Sequence, residues 1–280
     1  MKNITLAFFL IFSATMLRAQ YYYKDLIGTR DLNHLIRLYN QNKVKLVEAA
    51  GYDGNGLQSG DFSEEHEFLP DHNLLKISTR NKTDSTDEYY RYNGNGLVAT
   101  ISDTSSSLIS TTSYEYDGNN NPITIKNVVN DANDSVYENE VHVWFYNAQG
   151  KPVKMLRIVN INDTTDIHFT LDSRGNVIEE LPFVRNVSGE KTYYYYDQEN
   201  RLTDIVRFNT KARRLLPDYM FEYSDNNQVS QKITTLSAGG TGYLIWRYAY
   251  DARGLRTTEA SFNRDKDLTG KIKYSYLFAQ

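Results

Sequence analysis

The clearest candidates for chemistry are acidic and amide side chains that alternate within short polar segments. Asp117, Asn119 and Asn121 have the spacing of the first ligands in a calcium-binding loop. The sixth position of that loop is Pro122 rather than glycine, and the twelfth position is not glutamate. We therefore interpret these residues as turn formers, with a bound calcium ion as the alternative. The same two interpretations apply to Asp131, Asn133 and Ser135.

Histidine and cysteine offer less chemistry than the acidic residues. The five histidines are His34, His66, His72, His142 and His168, and none has a second ligand at metal spacing. We interpret them as ordinary polar residues of loops and strands. Cysteine is absent, which excludes disulfides, thiolate metal sites and cysteine nucleophiles. Because no Ser-His-Asp order, nucleophile elbow or phosphate-binding loop can be recognised, we predict no catalytic residue, no cofactor and no metal.

Aromatic side chains are the remaining candidates, because exposed rings can stack on sugars. The chain has 23 tyrosines, and most of its aromatic residues alternate toward one face of predicted strands. That alternation makes them core residues first. Four aromatic residues interrupt the polar side of the pattern, and we predict that they contact a ligand: Phe145, Tyr193, Tyr195 and Trp246.

A repeat of about 26 residues must position all of these side chains. Each copy has two aromatic positions separated by one residue, then a turn, then an apolar residue. The first position holds Tyr90, Tyr114, Trp144, Phe169, Tyr194, Phe221, Tyr248 and Tyr274. The second position holds Tyr92, Tyr116, Tyr146, Leu171, Tyr196, Tyr223, Tyr250 and Tyr276. Since alternate residues of a strand share a face, these rings predict the repeat core.

The segments between the aromatic positions predict one β-hairpin per repeat. The turns are rich in Asp, Asn and Gly, as in YRYNGNGL (90–97) and YAYDARGL (248–255). Asx side chains bond their own backbone, and glycine tolerates positive φ. A second polar stretch in each period varies in length, so we expect constant turns on one edge and variable loops on the other. Weaker copies lie at 51–57 and 67–75.

This pattern resembles the YD-repeat proteins, the Rhs and teneurin group, whose signature is Tyr-Asp, two residues, Gly, one residue, then Leu. The match is carried by Tyr116-Asp117, Tyr196-Asp197, Tyr250-Asp251 with Gly254, and Tyr52-Asp53 with Gly56. The resemblance covers roughly residues 44–280. Known members wind dozens of repeats into a hollow shell around a toxin or a plug. With eight or nine copies, this chain looks like a short stand-alone bacterial member.

The N-terminus and the charge balance limit the possible location and partners. Residues 1–19 have a positive start at Lys2, an apolar core and a small residue at Ala19, which predicts a signal peptide, with a retained N-terminal anchor as the alternative. We therefore expect export to the periplasm, the outer surface or the medium, with no transmembrane segment after cleavage. The net charge is −4 without a basic run, so we expect no nucleic-acid partner.

The predicted fold class is all-β: a long curved antiparallel meander of about eight YD-type β-hairpin repeats, with one short N-terminal helix. Residues 20–43 form the N-terminal helical cap and 44–280 the hairpin array. Leu32, Leu35, Ile36 and Tyr39 have helical spacing, and Asp31 stands at a candidate N-cap. We expect the sheet to wrap its own aromatic face while the helix covers one end, because an open sheet this wide exposes a large apolar surface. The sequence leaves open whether the sheet closes.

Three functions follow from these observations. The first is an exported, non-enzymatic β-repeat protein of the cell envelope or secretome that acts as a binding or structural scaffold, with a glycan or an envelope protein as the unidentified ligand. The second, implied by the resemblance alone, is a toxin-associated Rhs-like module. The third is an envelope polymer hydrolase, which requires two converging carboxylates with a raised pKa. The sequence shows no such pair.

Overall fold

A computed structural model describes residues 20–105, 108–131, 137–210, 212–235 and 242–280 of the chain. Near the N-terminus, a π-helix (Tyr22–Ile27) continues into the α-helix α1 (Gly28–Gln41). We call residues 22–41 the N-terminal helical segment. Over the described ranges, a single 3-10 turn lies at Pro70–His72, and the rest of the regular structure is strand.

The strands follow one another along the chain with short connections. The first ten are β1 (Val44–Asp53), β2 (Gln58–Leu69), β3 (Leu74–Asn81), β4 (Ser85–Tyr92), β5 (Val98–Ser105), β6 (Leu108–Tyr116), β7 (Pro122–Asp131), β8 (Tyr137–Tyr146), β9 (Pro152–Val159) and β10 (Asp163–Leu171). The others are β11 (Val177–Val184), β12 (Val187–Ser188), β13 (Thr192–Tyr196), β14 (Leu202–Asn209), β15 (Arg214–Tyr223), β16 (Val229–Thr235), β17 (Tyr243–Tyr250), β18 (Arg256–Phe262) and β19 (Leu268–Phe278).

Consecutive strands pair antiparallel, and the first strand also pairs with the last. Val47 lies opposite His66 of β2 on one side and opposite Tyr276 of β19 on the other. The short strands β12 and β13 both pair with β11 and occupy one position, so the sheet is a closed barrel of 18 strands. The predicted curved meander is therefore wrong as a description of the fold. Closure pairs the backbone groups that two free edge strands would leave unpaired.

The inner face of the barrel carries the repeat rings. Tyr90, Trp144, Phe169, Tyr194 and Phe221 are buried, and their second-position neighbours pack partly buried against the same clusters. Eighteen strands at roughly 4.8 Å each give a circumference of about 86 Å and a diameter of about 27 Å before strand tilt. A barrel this wide needs filling, and the rings fill it together with the N-terminal helical segment.

The constant turns form one rim of the barrel. In five of them the opening Asp or Asn accepts hydrogen bonds from backbone N–H groups two and four residues on, as Asp251 does from Arg253 and Leu255. The residue three positions after it has positive φ, which explains Gly254 at +83° and Asn200 at +70°. Neighbouring turns are also linked, since Gln228 Nε2 donates to the Gly254 carbonyl at 2.9 Å.

The second aromatic position is tyrosine for a specific reason. In six copies its hydroxyl donates to a backbone carbonyl near the start of a preceding strand, 18 to 24 residues back. The donors are Tyr116, Tyr146, Tyr196, Tyr223, Tyr250 and Tyr276, and their acceptors are Val98, Pro122, Val177, Leu202, Val229 and Arg256. These six bonds join the repeats that carry them to the repeats that precede them.

The N-terminal helical segment lies across the rim that carries the constant turns. Ile36 and Tyr39 are buried, Leu32 and Leu35 are partly buried, and all four pack against strands near the β1–β19 junction. Asp31 lies inside the helix rather than at its N-cap, because helical structure already begins at Tyr22. At roughly 1.5 Å per residue, residues 22–41 span about 30 Å, which matches the width of the barrel.

One copy of the repeat does not lie on this rim. The turn after Tyr52-Asp53 joins β1 to β2, and Asp53 pairs with Gly270, at the end of the barrel opposite Val44 and Phe278. The sequence placed this segment in the array, but it belongs to the rim of variable loops. Within the part of the chain that the structure describes, no helix has the length and apolar character that a membrane span needs.

Candidate functional site

Glu180 anchors the start of the N-terminal helical segment. Its carboxylate accepts hydrogen bonds from the backbone N–H groups of Tyr21 and Tyr22, both at 3.1 Å, and from the Tyr194 hydroxyl at 2.7 Å. Burial raises the pKa of Glu180, and these three bonds only partly offset that effect. A carboxylate at the positive end of a helix is also favoured by the helix dipole. Glu180 therefore holds the segment from the barrel wall.

A second anchor is a chain of charged groups around His142. Its Nδ1 lies 2.6 Å from Asp25 of the π-helix, and its Nε2 lies 2.7 Å from Glu140. Arg157 donates to the other oxygen of Glu140, and Trp144 donates to Asp25 at 3.1 Å. Burial would lower the pKa of His142, but the two carboxylates outweigh it and raise the pKa to about 9.

The same contacts determine the protonation of Glu140. Burial alone would raise the pKa of this carboxyl, but hydrogen bonds from His142 and Arg157 lower it to about 2. At neutral pH, a charged imidazolium therefore lies between two carboxylates, one on the wall and one on the N-terminal helical segment. Such an arrangement can hold two elements together, because breaking it leaves a buried charge unpaired.

Two further contacts hold α1 to the barrel, one near its C-terminus and one near its middle. The Tyr39 hydroxyl lies 2.9 Å from His66 Nδ1 on β2, and His66 Nε2 lies 2.8 Å from Glu64. Closer to the middle of α1, Asn33 Oδ1 accepts the backbone N–H of Val98 at 2.8 Å. The rings at this rim are consequently committed to the packing of the chain's own helix.

A pair of carboxyls on the inner face is the feature closest to catalytic geometry. Glu88 on β4 is the direct cross-strand partner of Asp103 on β5. Burial raises the pKa of Glu88 to about 7, while the Tyr90 hydroxyl donates to it at 2.9 Å and partly offsets the effect. Burial also raises the pKa of Asp103. This pair can hold a proton near neutral pH.

The candidate calcium ligands are occupied by their own turn. Asp117 Oδ1 accepts from the backbone N–H groups of Asn119 and Asn121, and Oδ2 accepts from the Asn121 side chain. The Asn121 bond is the largest of the effects that lower the pKa of Asp117. Among the described residues, no three His, Cys, Asp or Glu side chains come together as a metal site. Asn133 and Ser135 of the second candidate loop lie outside the described residues.

The four predicted ligand-contact aromatics divide between the two faces. Phe145 and Tyr195 are 41% and 47% exposed on the outer face, and Tyr193 lies partly buried on that face two residues before Tyr195. Trp246 lies two residues before Tyr248 on the same strand and therefore shares its inner face. Its cross-strand partners are Lys232 and Ser261. Its even spacing from Tyr248 and Tyr250 was the signal that places it there.

Tyr195 begins a row of outward side chains that crosses four strands. Its cross-strand partner is Asp204, whose partner is Met220, whose partner is Ile233. Two clefts border this row. One, of about 510 Å³, is lined by Arg174, Tyr195 and Gln198 among others, and one of about 60 Å³ is lined by Asp204, Met220 and Gln231 among others.

Sequence reasoning missed the residues that hold the N-terminal helical segment. His66 and His142 were interpreted as ordinary polar residues, although both are buried links between the helix and the wall. Glu140, His142 and Trp144 alternate along β8, which places all three on the inner face. The sequence did contain a signal for these contacts, namely a charged residue at a predicted inward position. Such a residue is almost never buried without a partner, so it indicates a contact with another element.

Comparisons with known proteins return likenesses of shape only. No protein-family model matches the chain, and no curated protein matches it in sequence. A porin-like protein from Bacteroides uniformis is similar over 84% of this chain and 97% of its own, with 11% identity and a TM-score of 0.40. A porin-like protein from Bacteroides vulgatus is similar over 84% and 98%, with 14% identity and a TM-score of 0.32.

A third similar structure is the Tc holotoxin pore of Photorhabdus luminescens. The likeness covers 80% of this chain and 14% of the toxin chain, with 12% identity and a TM-score of 0.33.

Proposed function

We propose that this protein is an exported, non-enzymatic scaffold of the bacterial cell envelope or secretome that binds its ligand on the outer wall of the barrel. The observation that carries the proposal is the position of the N-terminal helical segment. It occupies the rim where the repeat rings converge, and contacts to Glu180, His142 and His66 hold it there. The rings inside are core, so the surface available for recognition is the outer wall and its loops.

The composition of the outer wall supports a water-filled compartment. Charged side chains lie outward and exposed on six strands of the barrel, β1, β2, β7, β15, β17 and β19: Glu48, Glu65, Lys126, Glu222, Arg247 and Lys273. A charged residue on the lipid face of a membrane barrel costs about 2–4 kcal/mol near the midplane. We therefore infer that the barrel wall faces water, in the periplasm, at the cell surface or outside the cell.

The direct test measures binding to envelope material. The purified full chain is incubated with the insoluble envelope fraction of the bacterium that encodes it, and the bound fraction is measured after sedimentation. We expect the wild type to co-sediment and the outer-wall variant Phe145→Ala/Tyr195→Ala to lose at least tenfold in affinity. A matched inner variant, Tyr196→Phe, keeps binding. No sedimentation of the wild type, or equal binding by the outer-wall variant, would contradict the proposal.

Export has its own test. The protein recovered from the periplasm or the medium is sequenced from its N-terminus. We expect the chain to begin at Gln20, and a chain found only in the cytoplasm with residues 1–19 attached would contradict export.

One observation favours a hydrolase as the second candidate. Glu88 and Asp103 lie opposite one another, and burial brings the pKa of Glu88 to about 7, the value that a general acid needs. Both carboxyls face the interior, where a polymer chain has to enter the barrel to reach them. Digestion of envelope polysaccharide and peptidoglycan by wild type but not by Glu88→Gln would establish this function, and equal inactivity of both would reject it.

A further inference from the structure

The outer wall carries a strip with the chemistry of a carbohydrate site. Tyr195, Asp204, Met220 and Ile233 are successive cross-strand partners on β13 to β16. Tyr195 is 47% exposed and Met220 is 39% exposed, whereas the next partner, Ile245, is only 5% exposed. The accessible row therefore ends at Ile233. Three strand spacings make it roughly 14 Å long, enough for several sugar residues.

A row of polar side chains runs beside it. Glu222, Gln231 and Arg247 are cross-strand partners in turn. Gln231 Nε2 donates to Glu222 Oε1 at 2.7 Å, and Arg247 Nε donates to Gln231 Oε1 at 3.0 Å. These bonds hold a carboxylate, an amide and a guanidinium in one line, so their remaining donors and acceptors have fixed directions.

The cleft of about 60 Å³ lies between the two rows. Asp204, Met220 and Ile233 line it on one side, and Glu222 and Gln231 line it on the other. A ligand lying across the strands can thus contact apolar surface and hydrogen-bonding groups at the same time.

We propose that this strip binds a neutral saccharide chain, with the Tyr195 ring as the stacking platform and Asp204 as an acceptor for sugar hydroxyls. The inference rests on the proposed outer-wall binding and specifies its ligand. The apolar C–H face of a pyranose matches an exposed ring, while its hydroxyls match the carboxylates and amides of both rows.

Two other ligand classes fit the strip less well. Asp204 and Glu222 repel the phosphates of a nucleic acid, which needs clustered positive charge. A quaternary ammonium group needs several aromatic rings around the cation, and the strip offers Tyr195 beside the aliphatic Met220 and Ile233. A neutral sugar makes neither demand.

The test is affinity electrophoresis of the full chain in native gels that contain xylan, mannan, mixed-linkage β-glucan, galactan or dextran, followed by calorimetry with the polysaccharide that retards it. We expect at least one of them to retard the wild type. Tyr195→Phe keeps the ring and retains binding, whereas Tyr195→Ala and Asp204→Asn weaken binding at least tenfold.

Phe208 supplies the matched control. It is also 47% exposed and lies on β14 outside the row, so Phe208→Ala leaves binding unchanged. Absence of retardation in every gel, or equal retardation of wild type and Tyr195→Ala, would overturn the saccharide proposal. If the wild type still sediments with envelope material in that case, the scaffold proposal stands and its ligand is of another class. If sedimentation is also lost, both proposals fall.

Discussion

Glu180 and His66 hold opposite ends of the same helical segment from strands that lie across the barrel from each other. Glu180 is on β11 and accepts the Tyr22 backbone N–H, and His66 is on β2 and contacts the Tyr39 hydroxyl. Eight of the 18 strand positions lie between β2 and β11 in either direction. The N-terminal helical segment therefore bridges the full width of the barrel, and its length is matched to that width.

The anchor at Glu180 should be among the most costly side chains to remove. Glu180→Ala leaves the N–H groups of Tyr21 and Tyr22 and the Tyr194 hydroxyl without their acceptor. Since each buried donor left unpaired costs about 1–3 kcal/mol, we expect a loss of at least about 3 kcal/mol in the free energy of unfolding. Urea denaturation followed by far-ultraviolet circular dichroism measures it.

Glu179 is the control for that experiment. It lies on the same strand, points outward, and pairs with Lys191 at 2.7 Å near the surface. Glu179→Ala should cost no more than about 1 kcal/mol. Equal losses for Glu179→Ala and Glu180→Ala would show that Glu180 does not anchor the segment.

The stability of the protein should fall in alkaline solution because of His142. Its pKa in the fold, about 9, lies above the unfolded value of 6.5, so its contribution is complete below pH 6.5 and disappears as pH rises through 9. The shift corresponds to about 3 kcal/mol. The groups that face His142 are Asp25, Glu140, Arg157 through Glu140, and the ring of Tyr21.

Chemical denaturation at intervals from pH 6 to pH 10 tests this dependence. The variant His142→Gln should be less stable at pH 6 and should lose the slope between pH 6.5 and 9. A wild-type profile that is flat over this interval would mean that His142 is not held as an imidazolium.

The contribution of the tyrosine hydroxyls that join successive repeats can be tested by comparing two adjacent tyrosines. Tyr196→Phe removes the bond to the Val177 carbonyl at 2.9 Å, and should cost about 0.5–1.5 kcal/mol. Tyr195→Phe changes the neighbouring residue, which faces solvent, and should be neutral. Urea midpoints for the two variants give the comparison, and a neutral Tyr196→Phe would show that the hydroxyl adds no stability.

The strands and their facing were within reach of the sequence because periodicity reports both. Alternation placed Tyr90, Trp144 and Tyr194 on one face, and that face is the interior. The Asp, Asn and Gly spacing of the turns corresponds to real hydrogen bonds such as those of Asp251. These features are local, so a few neighbouring residues determine them.

Closure was out of reach because it depends on partners at opposite ends of the chain. Nothing in the letters around Val47 identifies Tyr276 as its partner. The turn at Tyr52-Asp53 carries the same Tyr-Asp and Gly signature as Tyr250-Asp251 and still lies on the other rim, because turn chemistry does not report which end of a strand it follows. Likewise, the hydrogen bonds between Asp25 and His142 and between Tyr39 and His66 join residues that are far apart in sequence.

The most direct test of the account asks whether the first and last strands are paired. The chain has no cysteine, so the double variant Glu48→Cys/Ser275→Cys introduces the only two thiols. These positions are cross-strand partners on the outer face of β1 and β19, and their Cα spacing of roughly 4.5–5.5 Å permits a disulfide. The control Glu48→Cys/Ser78→Cys places the thiols two strands apart, roughly 9.6 Å, which is too far. We predict rapid intramolecular disulfide formation under mild oxidation for the first pair, seen as faster migration in non-reducing gels, and none for the control. Failure of the first pair to cross-link faster than the control would contradict the closed barrel.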